Sequence, residues 1–311
     1  MTVQFGVHLP LIDVGGGSWT VKRLSNYVRA AAALGFHYLC ANDHLVFRRP
    51  WMDGPTALAA VLQAAGDMTL ATTVALPVVR GPVHTAKLLA ALHTLSDGRL
   101  VAGVGPGSSA ADFAAAGIPF SERWSRFDEA VRVLRVLLGK DTAPFHGTFY
   151  SSDTAGEPLI AGATGPPLWI SSWGSTAGIR RAAQLGDGWI ASAYNTTPDA
   201  FGHALHRLQA AGRPAPTFPN AIATTWLHVT DRPRTADRVI DDVLAPMLNR
   251  PADDLHARGL PIGSAEQCAE RITGYARAGA QRIFLWPLGD EVEQLATFRS
   301  RVMPLLPDDS G

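Results

Sequence analysis

The clearest candidate for proton transfer is the run Asn42-Asp43-His44, in which an imidazole directly follows a carboxylate. An imidazole changes its charge near neutral pH, which suits it to general acid–base work. A neighbouring carboxylate can fix the imidazole tautomer, but adjacent residues of a strand point to opposite faces, so Asp43 is alternatively a structural cap. His44 and Asp43 are therefore the catalytic candidates, with both interpretations of Asp43 open.

A second candidate site is a run of small and hydroxyl residues that precedes a predicted helix. Backbone N–H groups at a helix N-terminus are unpaired, and the helix dipole favours an anion there. An ordinary N-cap by Ser175 or Ser172 is equally compatible with the pattern. The candidates for binding a phosphate are Ser171, Ser172, Trp173, Gly174, Ser175 and Thr176.

Other site patterns are weak or missing in the sequence. Gly103, Gly105 and Gly107 follow a predicted strand, but they lack the G-x-G-x-x-G spacing of a dinucleotide fingerprint, and a tight turn explains them equally well. The sequence contains no P-loop, no G-x-S-x-G elbow and no cluster at metal-ligand spacing, so no metal site is predicted. Four tryptophans are candidates for core or wall positions: Trp173, Trp189, Trp226 and Trp286.

Short apolar runs alternate with amphipathic helical stretches along the chain. Most runs are continuously apolar, as expected for parallel strands that are covered on both faces. Eight strand–helix units in this length are typical of a (β/α)8 TIM barrel, whereas a doubly wound sheet would carry a glycine fingerprint after its first strand. The predicted strands are Gln4–Pro10, Tyr38–Asp43, Leu70–Val78, Leu100–Gly105, Leu168–Trp173, Trp189–Tyr194, Ala221–Val229 and Arg282–Pro287.

Two stretches depart from this alternation. Residues 141–165 are rich in Gly, Pro, Ser and aromatic residues and predict a hairpin-like insertion, and residues 245–261 interrupt the seventh unit. Long loops in compact domains are often functional lids. Because the sequence has no internal repeat, low-complexity tract or linker, residues 1–311 are predicted to form one domain.

Composition narrows the class of protein further. Of 311 residues 47% are hydrophobic, and 27 basic residues balance 27 acidic ones, which argues against a general attraction to nucleic acid or anionic membrane. Cys40 and Cys268 are predicted to be buried free thiols. No basic-then-apolar leader and no apolar run of about 18 residues occurs, so a cytoplasmic protein is expected.

Two long motifs resemble the luciferase-like monooxygenase superfamily, especially its deazaflavin-dependent branch. The first begins at Lys87 and contains H-x-L-S-D-G-R-L-V-A-G-V-G-P-G-S and E-R-W-S-R-F-D-E. The second is P-L-W-I-S-S at 167–172, followed by L-G-D-G-W at 185–189. The likeness covers nearly the whole chain except 141–164 and 245–261. It implies a barrel of the bacterial-luciferase type that binds FMN or coenzyme F420 over its strand ends.

The resemblance also implies roles for individual residues. Asp43-His44 is similar to the aspartate–histidine pair of the deazaflavin-dependent members, whose histidine lies near the reactive ring. Thr73-Val74 looks like the family's non-prolyl cis peptide, which supports the ring face. The run 171–176 would hold the phosphate, and Arg180 or Arg181 would either add charge there or face solvent. The residues implied to border the ring or its ribityl chain are Gly105, Pro106, Gly107 and Ser108.

The chain departs from the sugar-phosphate dehydrogenases of this family. They place a tryptophan four residues after the histidine, where this chain has Arg48, with Trp51 further on. They also carry a glutamate near the position of Gly105-Pro106-Gly107, which this chain lacks. A sugar-phosphate substrate is therefore not expected. Candidates for a different substrate pocket, or for plain solvated loops, are Asp13, Arg48, Arg49 and Trp51.

Three hypotheses for function follow from the resemblance. The preferred one is an F420-dependent oxidoreductase, in which His44 donates or accepts a proton beside a small organic substrate. The second is an FMN-dependent monooxygenase that uses reduced flavin and oxygen. The third is a flavin-binding barrel without turnover, which the intact 171–176 run disfavours. The resemblance also implies a homodimer formed through the outer helices.

Overall fold

The computed structural model describes residues 3–14, 19–152, 159 and 165–307. Eight parallel strands form a barrel in the order β7-β8-β1-β2-β3-β4-β5-β6, and pairing of β6 with β7 closes it. The predicted (β/α)8 barrel is confirmed. The strands are β1 (Gln4–His8), β2 (Tyr38–Ala41), β3 (Thr69–Ala75), β4 (Leu100–Val104), β5 (Leu168–Ser171), β6 (Gly188–Ser192), β7 (Asn220–Val229) and β8 (Arg282–Pro287).

Helices cover the outside of the barrel and connect its strands. Several begin at a side chain that accepts a first-turn amide hydrogen bond, such as Thr20 and Ser264. The helices are α1 (Val21–Ala33), α2 (Gly54–Val61), α3 (Pro77–Arg80), α4 (Pro82–Leu95), α5 (Ala110–Ala115), α6 (Arg123–Leu137), α7 (Thr176–Leu185), α8 (Pro198–Ala210), α9 (Pro233–Arg238), α10 (Ala245–Leu248), α11 (Ala252–Arg258), α12 (Ala265–Arg277) and α13 (Glu291–Thr297).

Two apolar layers explain why the strands read as continuous apolar runs. One layer lies between the strands and the helices and includes Val7, Leu39 and Leu70. Alternate residues of the strands face inward and fill the barrel, so both faces are buried. Cys40 and Cys268 are buried free thiols, as predicted. The inward layer consists of Tyr38, Cys40, Ala71, Val101, Trp169, Ile190, Ala221, Ala223 and Phe284.

Six of the predicted strands run too far at their carboxyl ends, whereas the seventh and eighth end as predicted, at Val229 and Pro287. The third was predicted to reach Val78, but it stops at Ala75, and α3 begins at Pro77. Proline lacks the N–H that a central strand needs and is well suited to the first turn of a helix. β2 likewise ends at Ala41 and β5 at Ser171. The candidate residues beyond these ends therefore lie on loops at the mouth of the barrel.

The two insertions differ in character. The first contains an antiparallel pair of Phe145–His146 with Ser151–Ser152, as the hairpin prediction required, while 153–158 and 160–164 lie outside the described residues. The Glu129 carboxylate accepts the amides that follow this first strand, at distances between 2.7 and 3.0 Å. The second insertion is mostly helical, because it consists largely of α10 and α11. Its apolar residues pack toward the carboxyl end of β7 and β8.

Candidate active site

A cleft of about 260 Å³ opens at the carboxyl ends of the strands. Other residues of its lining, which the sequence analysis did not select, include Arg123, Tyr194 and Thr224. Gly174 and Thr176 complete the turn into α7 without lining the cleft. The candidate residues that do line it are Asp43, His44, Thr73, Val74, Gly105, Pro106, Gly107, Ser108, Ser171, Ser172, Trp173 and Ser175.

The carboxylate that contacts His44 is Asp112 on α5. His44 Nδ1 lies 2.7 Å from Asp112 Oδ2, and the Asp112 side chain is fully buried. Asp112 Oδ1 also accepts the amides of Leu45 and Val46, at 3.0 and 2.7 Å. We therefore assign the Nδ1 proton to the bond with Asp112, which leaves Nε2 of neutral His44 as the proton acceptor. Sequence reasoning missed Asp112, because its only signal was a carboxylate near the start of a short helix.

Asp43 contacts a different partner. Both of its carboxylate oxygens accept hydrogen bonds from Arg80, each at 2.6 Å, and its side chain is 1% exposed. Arg80 also contacts Asp53, which caps α2 by accepting the amide of Thr56 at 2.9 Å. The hydrogen bond to Asp43 raises the pKa of Arg80 above its ordinary value. This ionised bridge ties the end of β2 to α2 and α3 and so positions the neighbouring His44.

Aromatic rings surround the His44 imidazole. The ring centroid of Phe47 lies 4.8 Å from it and that of Trp51 lies 4.6 Å from it. A backbone bridge between Trp51 and Ile12 holds this loop against the segment after β1. Trp51 therefore contacts the histidine, although it does not stand at the spacing of the sugar-phosphate dehydrogenases. Arg48 is exposed, and Arg49 donates to the backbone carbonyl of Asp13.

A second histidine lies beneath the cleft. His8 Nε2 accepts the amide of Thr224 at 3.1 Å, and its ring stacks on Trp286 at a centroid distance of 4.5 Å. Thr73 Oγ1 contacts His8 Nδ1 and donates to Asn42 Oδ1 at 3.0 Å. Burial lowers the pKa of His8 to about 3, with an opposing contribution from Asn42. His8 is therefore a neutral structural group at neutral pH.

The wall formed by β3 and β4 has little side-chain bulk. The Thr73–Val74 peptide bond is cis, as the family resemblance implied. A Cβ on Gly105 would lie 2.6 Å from Val74 Cγ2, so only glycine permits this approach. Gly107 adopts a φ of +88°, which also favours glycine. The result is a flat apolar platform of Val74 and Gly105 that fits a planar ring.

The start of α7 has the geometry of an anion site. Ser175 is its N-cap and accepts the amide of Gly178 at 3.2 Å, while the other first-turn amides have no intrahelical acceptor. Trp189 Nε1 donates to Ser172 Oγ at 3.0 Å and fixes the preceding turn. Arg207 donates to the Gly174 carbonyl and secures the same turn from α8. Trp173 is 51% exposed at the rim rather than buried in the core.

The cation that lines the cleft is Arg123, which the sequence analysis did not select. Its guanidinium lies over the Phe120 ring at 4.2 Å, and its Nη1 donates to the Phe120 carbonyl at 3.1 Å. Arg180 is exposed, and Arg181 pairs with Asp128. The only signal for Arg123 was its place in the E-R-W-S-R-F-D-E motif.

The described residues contain neither a metal-binding cluster nor a helix that could span a membrane. Among these residues, no group of three or more His, Cys, Asp or Glu side chains is arranged to hold a metal ion. In the same part of the chain, no helix combines the length and apolarity needed to cross a bilayer.

Residues 5–282 match the profile of the family described as luciferase-like monooxygenase. The chain belongs to this family, whose members are flavin- or deazaflavin-dependent oxidoreductases and monooxygenases. The expected barrel of the bacterial-luciferase type and the expected enzyme class are confirmed.

Curated relatives match part of the chain. One is the F420-dependent hydroxymycolic acid dehydrogenase of Mycobacterium tuberculosis, 30% identical over 55% of this chain and 49% of the relative. Another is the F420-dependent glucose-6-phosphate dehydrogenase of Intrasporangium calvum, 31% identical over 54% of this chain and 53% of the relative. The match thus spans about half the length of these two relatives.

Solved structures share the whole fold at low sequence identity. An F420-dependent secondary alcohol dehydrogenase in complex with an F420-acetone adduct superposes with a TM-score of 0.79 at 19% identity, covering 99% of this chain and 100% of the other. The monooxygenase RslO1 from Streptomyces bottropensis gives 0.78 at 20% identity, covering 97% and 99%. Both likenesses concern the fold.

Proposed function

We propose that this chain is an F420-dependent oxidoreductase that transfers a hydride between the deazaflavin and a small organic substrate. The observation that supports it most is the His44–Asp112 pair, which borders a cleft that is also lined by Val74, Gly105 and Gly107. The curated relatives that are named as F420-dependent dehydrogenases add support at the level of the family.

The residues present fit such a cofactor. The Val74–Gly105 platform would support its planar ring, with Pro106, Gly107 and Ser108 along the edge. The amides at the start of α7, together with 171–176, would bind its phosphate. The Arg123 guanidinium would supply the positive charge opposite the phosphate, because it lines the cleft and forms no ion pair with a carboxylate among the described residues.

The protein's part in the reaction is positioning and proton transfer. The reduced deazaflavin supplies a hydride from its C5 position and activates oxygen poorly. His44 Nε2 would accept or donate the substrate proton, and Asp112 would hold the tautomer that leaves Nε2 available. Asp43 would act through Arg80 as a positioning residue. Phe47 and Trp51 would limit the access of water to His44.

Cofactor binding tests this proposal. The purified apoprotein is titrated separately with F420, FMN and riboflavin, and tryptophan quenching and visible absorbance are followed. We expect micromolar binding of F420 and much weaker binding of riboflavin, which lacks a phosphate. Tight binding of FMN alone would replace the proposal with an oxygen-using monooxygenase. Binding of none of the three would refute a flavin-type site.

Two matched variants distinguish a direct contact between Arg123 and the phosphate from a general effect of positive charge on binding. Arg123→Gln is expected to weaken F420 binding by about tenfold, because one charge-assisted hydrogen bond contributes roughly 1.5–3 kcal/mol. Arg180→Gln removes an equivalent charge from an exposed position on α7 and is expected to change nothing. Equal behaviour of the two variants would remove Arg123 from the proposed site. Homodimerisation and a cytoplasmic location stay predictions.

A further inference from the structure

Two polar side chains border the cleft from opposite sides of the barrel. His44 follows β2 and Tyr194 follows β6, and both line the cleft. In the closed ring of eight strands, β2 and β6 are four places apart, so the two residues lie across the barrel mouth from each other. A ligand that lies between them therefore meets one polar side chain at each end.

Tyr194 presents a phenol that is free to donate a hydrogen bond. It is partly buried, and its ring packs against the apolar cluster that also contacts Phe47 and Trp51. Arg250, from the insertion at 245–261, lies 5.3 Å from the centroid of the Tyr194 ring without lining the cleft. Burial raises the pKa of the phenol, so it is protonated at neutral pH, and its Oη completes no hydrogen bond in the described part of the chain.

A second hydroxyl adjoins this phenol at the end of β6. The Ser192 side chain lies near enough to the Tyr194 phenol to oppose the rise in its pKa, and Ser192 also lines the cleft. Its Oγ is buried and has no hydrogen-bond partner among the described residues. Buried hydroxyls are almost always hydrogen-bonded in folded proteins, so an oxygen atom from outside the chain is expected here. We name Ser192 and Tyr194 the β6 hydroxyl pair.

An irregularity in β7 shapes the floor of the cleft beside this pair. The pairing of β7 with β8 shifts between Ile222 and Thr225, and Thr224 in the shift has a φ of +55°. One extra residue reverses which side chains face inward. Thr224 consequently lines the cleft, whereas Trp226 and Trp286 are buried and stacked, with ring centroids 4.3 Å apart. The contribution of β7 to the floor is therefore an uncharged residue.

The cleft offers a substrate few ionised partners. Arg123 is the only lysine or arginine among the described residues that line it, and the proposed phosphate site already uses this side chain. Asp43 is the only carboxylate among the same residues, and it is bonded to Arg80. Burying an ion without an opposite charge is costly, so the remaining lining favours an uncharged substrate.

We propose that Tyr194 determines substrate specificity by donating a hydrogen bond to an oxygen of the substrate, at the end of the cleft opposite His44. The substrate is an uncharged compound that carries a carbonyl or ester oxygen in addition to the group that exchanges its proton with His44. Ser192 donates to the same oxygen. The inference rests on the proposed function for the reaction at His44. The hydrogen bond from Tyr194 involves only this chain, so binding can be measured with and without F420.

The test is a ligand-observed NMR titration of the apoprotein and the F420-loaded protein with four probes of one ring size. Two are uncharged and differ at one position, where 4-hydroxycyclohexanone carries a carbonyl and 4-methylenecyclohexanol an exocyclic methylene. The others are an anion, 4-hydroxycyclohexanecarboxylate, and a cation, protonated 4-aminocyclohexanol. We expect 4-hydroxycyclohexanone to bind about fivefold more tightly than each of the others, because it alone supplies an uncharged acceptor for Tyr194. Equal affinities, a preference for either ion, or no binding of any probe at tens of millimolar would overturn the proposal.

Two variants assign the effect to the phenol of Tyr194. Tyr194→Phe keeps the ring beside Arg250 but removes the donor, so the preference for 4-hydroxycyclohexanone over 4-methylenecyclohexanol should fall from about fivefold to about twofold or less. The affinity for 4-methylenecyclohexanol itself should stay unchanged. Tyr150→Phe removes a phenol that does not line the cleft and should keep the full preference. If Tyr194→Phe also keeps it, the assignment of the hydrogen bond to Tyr194 is wrong.

The outcome is distinguishable from a failure of the proposed function. If the apoprotein prefers 4-hydroxycyclohexanone as expected but F420 does not bind, the role of Tyr194 stands and the cofactor assignment falls. If F420 binds but the probes show no preference for the carbonyl, only the substrate inference falls.

Discussion

The two sides of the cleft are built in different ways. The side formed by β3, β4 and the start of α7 lines the cleft with glycine, proline and small hydroxyl residues, together with the larger side chains of Val74, Leu76 and Trp173. The opposite side, from β6 through β8 to the loop after β2, is crowded with rings, among them those of Trp51 and His44. The first side suits a ligand that many members of a family bind. Backbone groups can hold such a ligand while requiring only glycine or a capping residue at a few positions of the sequence. The second side suits a ligand that differs between family members, because exchanging a few side chains changes which ligand binds.

The two sides also differ in the substitutions that they can tolerate. On the small-residue side, an added Cβ changes the shape of the platform directly. On the ring side, a substitution that keeps volume changes proton transfer or ligand choice without closing the cleft. Three substitutions, from the largest expected effect to the smallest, test this contrast.

Asp112→Asn should cause the largest loss. The side-chain carbonyl of the introduced asparagine would continue to accept the amides of Leu45 and Val46, so its NH₂ group would face His44 Nδ1. The imidazole would then carry its proton on Nε2, which is the wrong tautomer for a proton acceptor. We expect turnover with F420 to fall by about 100-fold, roughly 2.7 kcal/mol, while cofactor affinity stays within a factor of two.

The control for this variant is Asp128→Asn, which disrupts the pair with Arg181 on the outer helices. It should leave turnover unchanged. If Asp112→Asn lowers cofactor affinity as much as turnover, the carboxylate shapes the cleft and does not act through His44.

Gly105→Ala should have an intermediate effect, on the other side of the cleft. The added Cβ would lie 2.6 Å from Val74 Cγ2 and 3.4 Å from Ser171 Cβ, so Val74 would move toward the ring position. Affinity for F420 should fall by about tenfold, roughly 1.4 kcal/mol, with equilibrium titration as the measurement. Gly202→Ala on α8, where the nearest atom lies 3.7 Å from the new Cβ, should leave affinity unchanged. Unaltered binding by Gly105→Ala would refute the platform.

His8→Gln should have the smallest effect at neutral pH. Burial lowers the pKa of His8 from 6.5 to about 3, so below pH 6.5 the unfolded chain binds a proton that the folded chain rejects. The free energy of unfolding should therefore fall as the pH drops from 6.5 toward 3, by at most about 1.4 kcal/mol per pH unit from this group. The glutamine side chain can accept the hydrogen bond from the Thr224 amide, but it does not titrate. The free energy of unfolding of the variant should therefore lack the part of the pH dependence that His8 contributes.

Urea unfolding at pH 7, 6 and 5 measures this difference. His206→Gln, at an exposed position of α8, is the control and should keep the wild-type dependence on pH. Parallel curves for wild type and His8→Gln would contradict the assignment of His8 as a group held neutral by burial.

Parts of the fold and site were predictable because their signals are local. The continuous apolar runs predicted eight strands, since parallel strands are covered on both faces. The hydroxyl at Ser175 predicted an N-cap, and the cap is present. The positions of Thr73-Val74 and Gly105 followed from the resemblance of long motifs. The strand ends were predicted less well, because Pro77 and similar residues begin helices where apolar runs continue.

The sequence by itself determined the barrel, the small residues of the wall formed by β3 and β4, and the N-cap at the start of α7, since each depends on residues that are neighbours in the chain. Tertiary structure alone decided the partners of the charged groups. His44 meets Asp112 across 68 positions, and Asp43 meets Arg80 across 37. The shift in β7 that turns Trp226 inward is likewise set by pairing with β8. Such contacts depend on how distant elements pack at the barrel mouth, and no spacing within one segment encodes them.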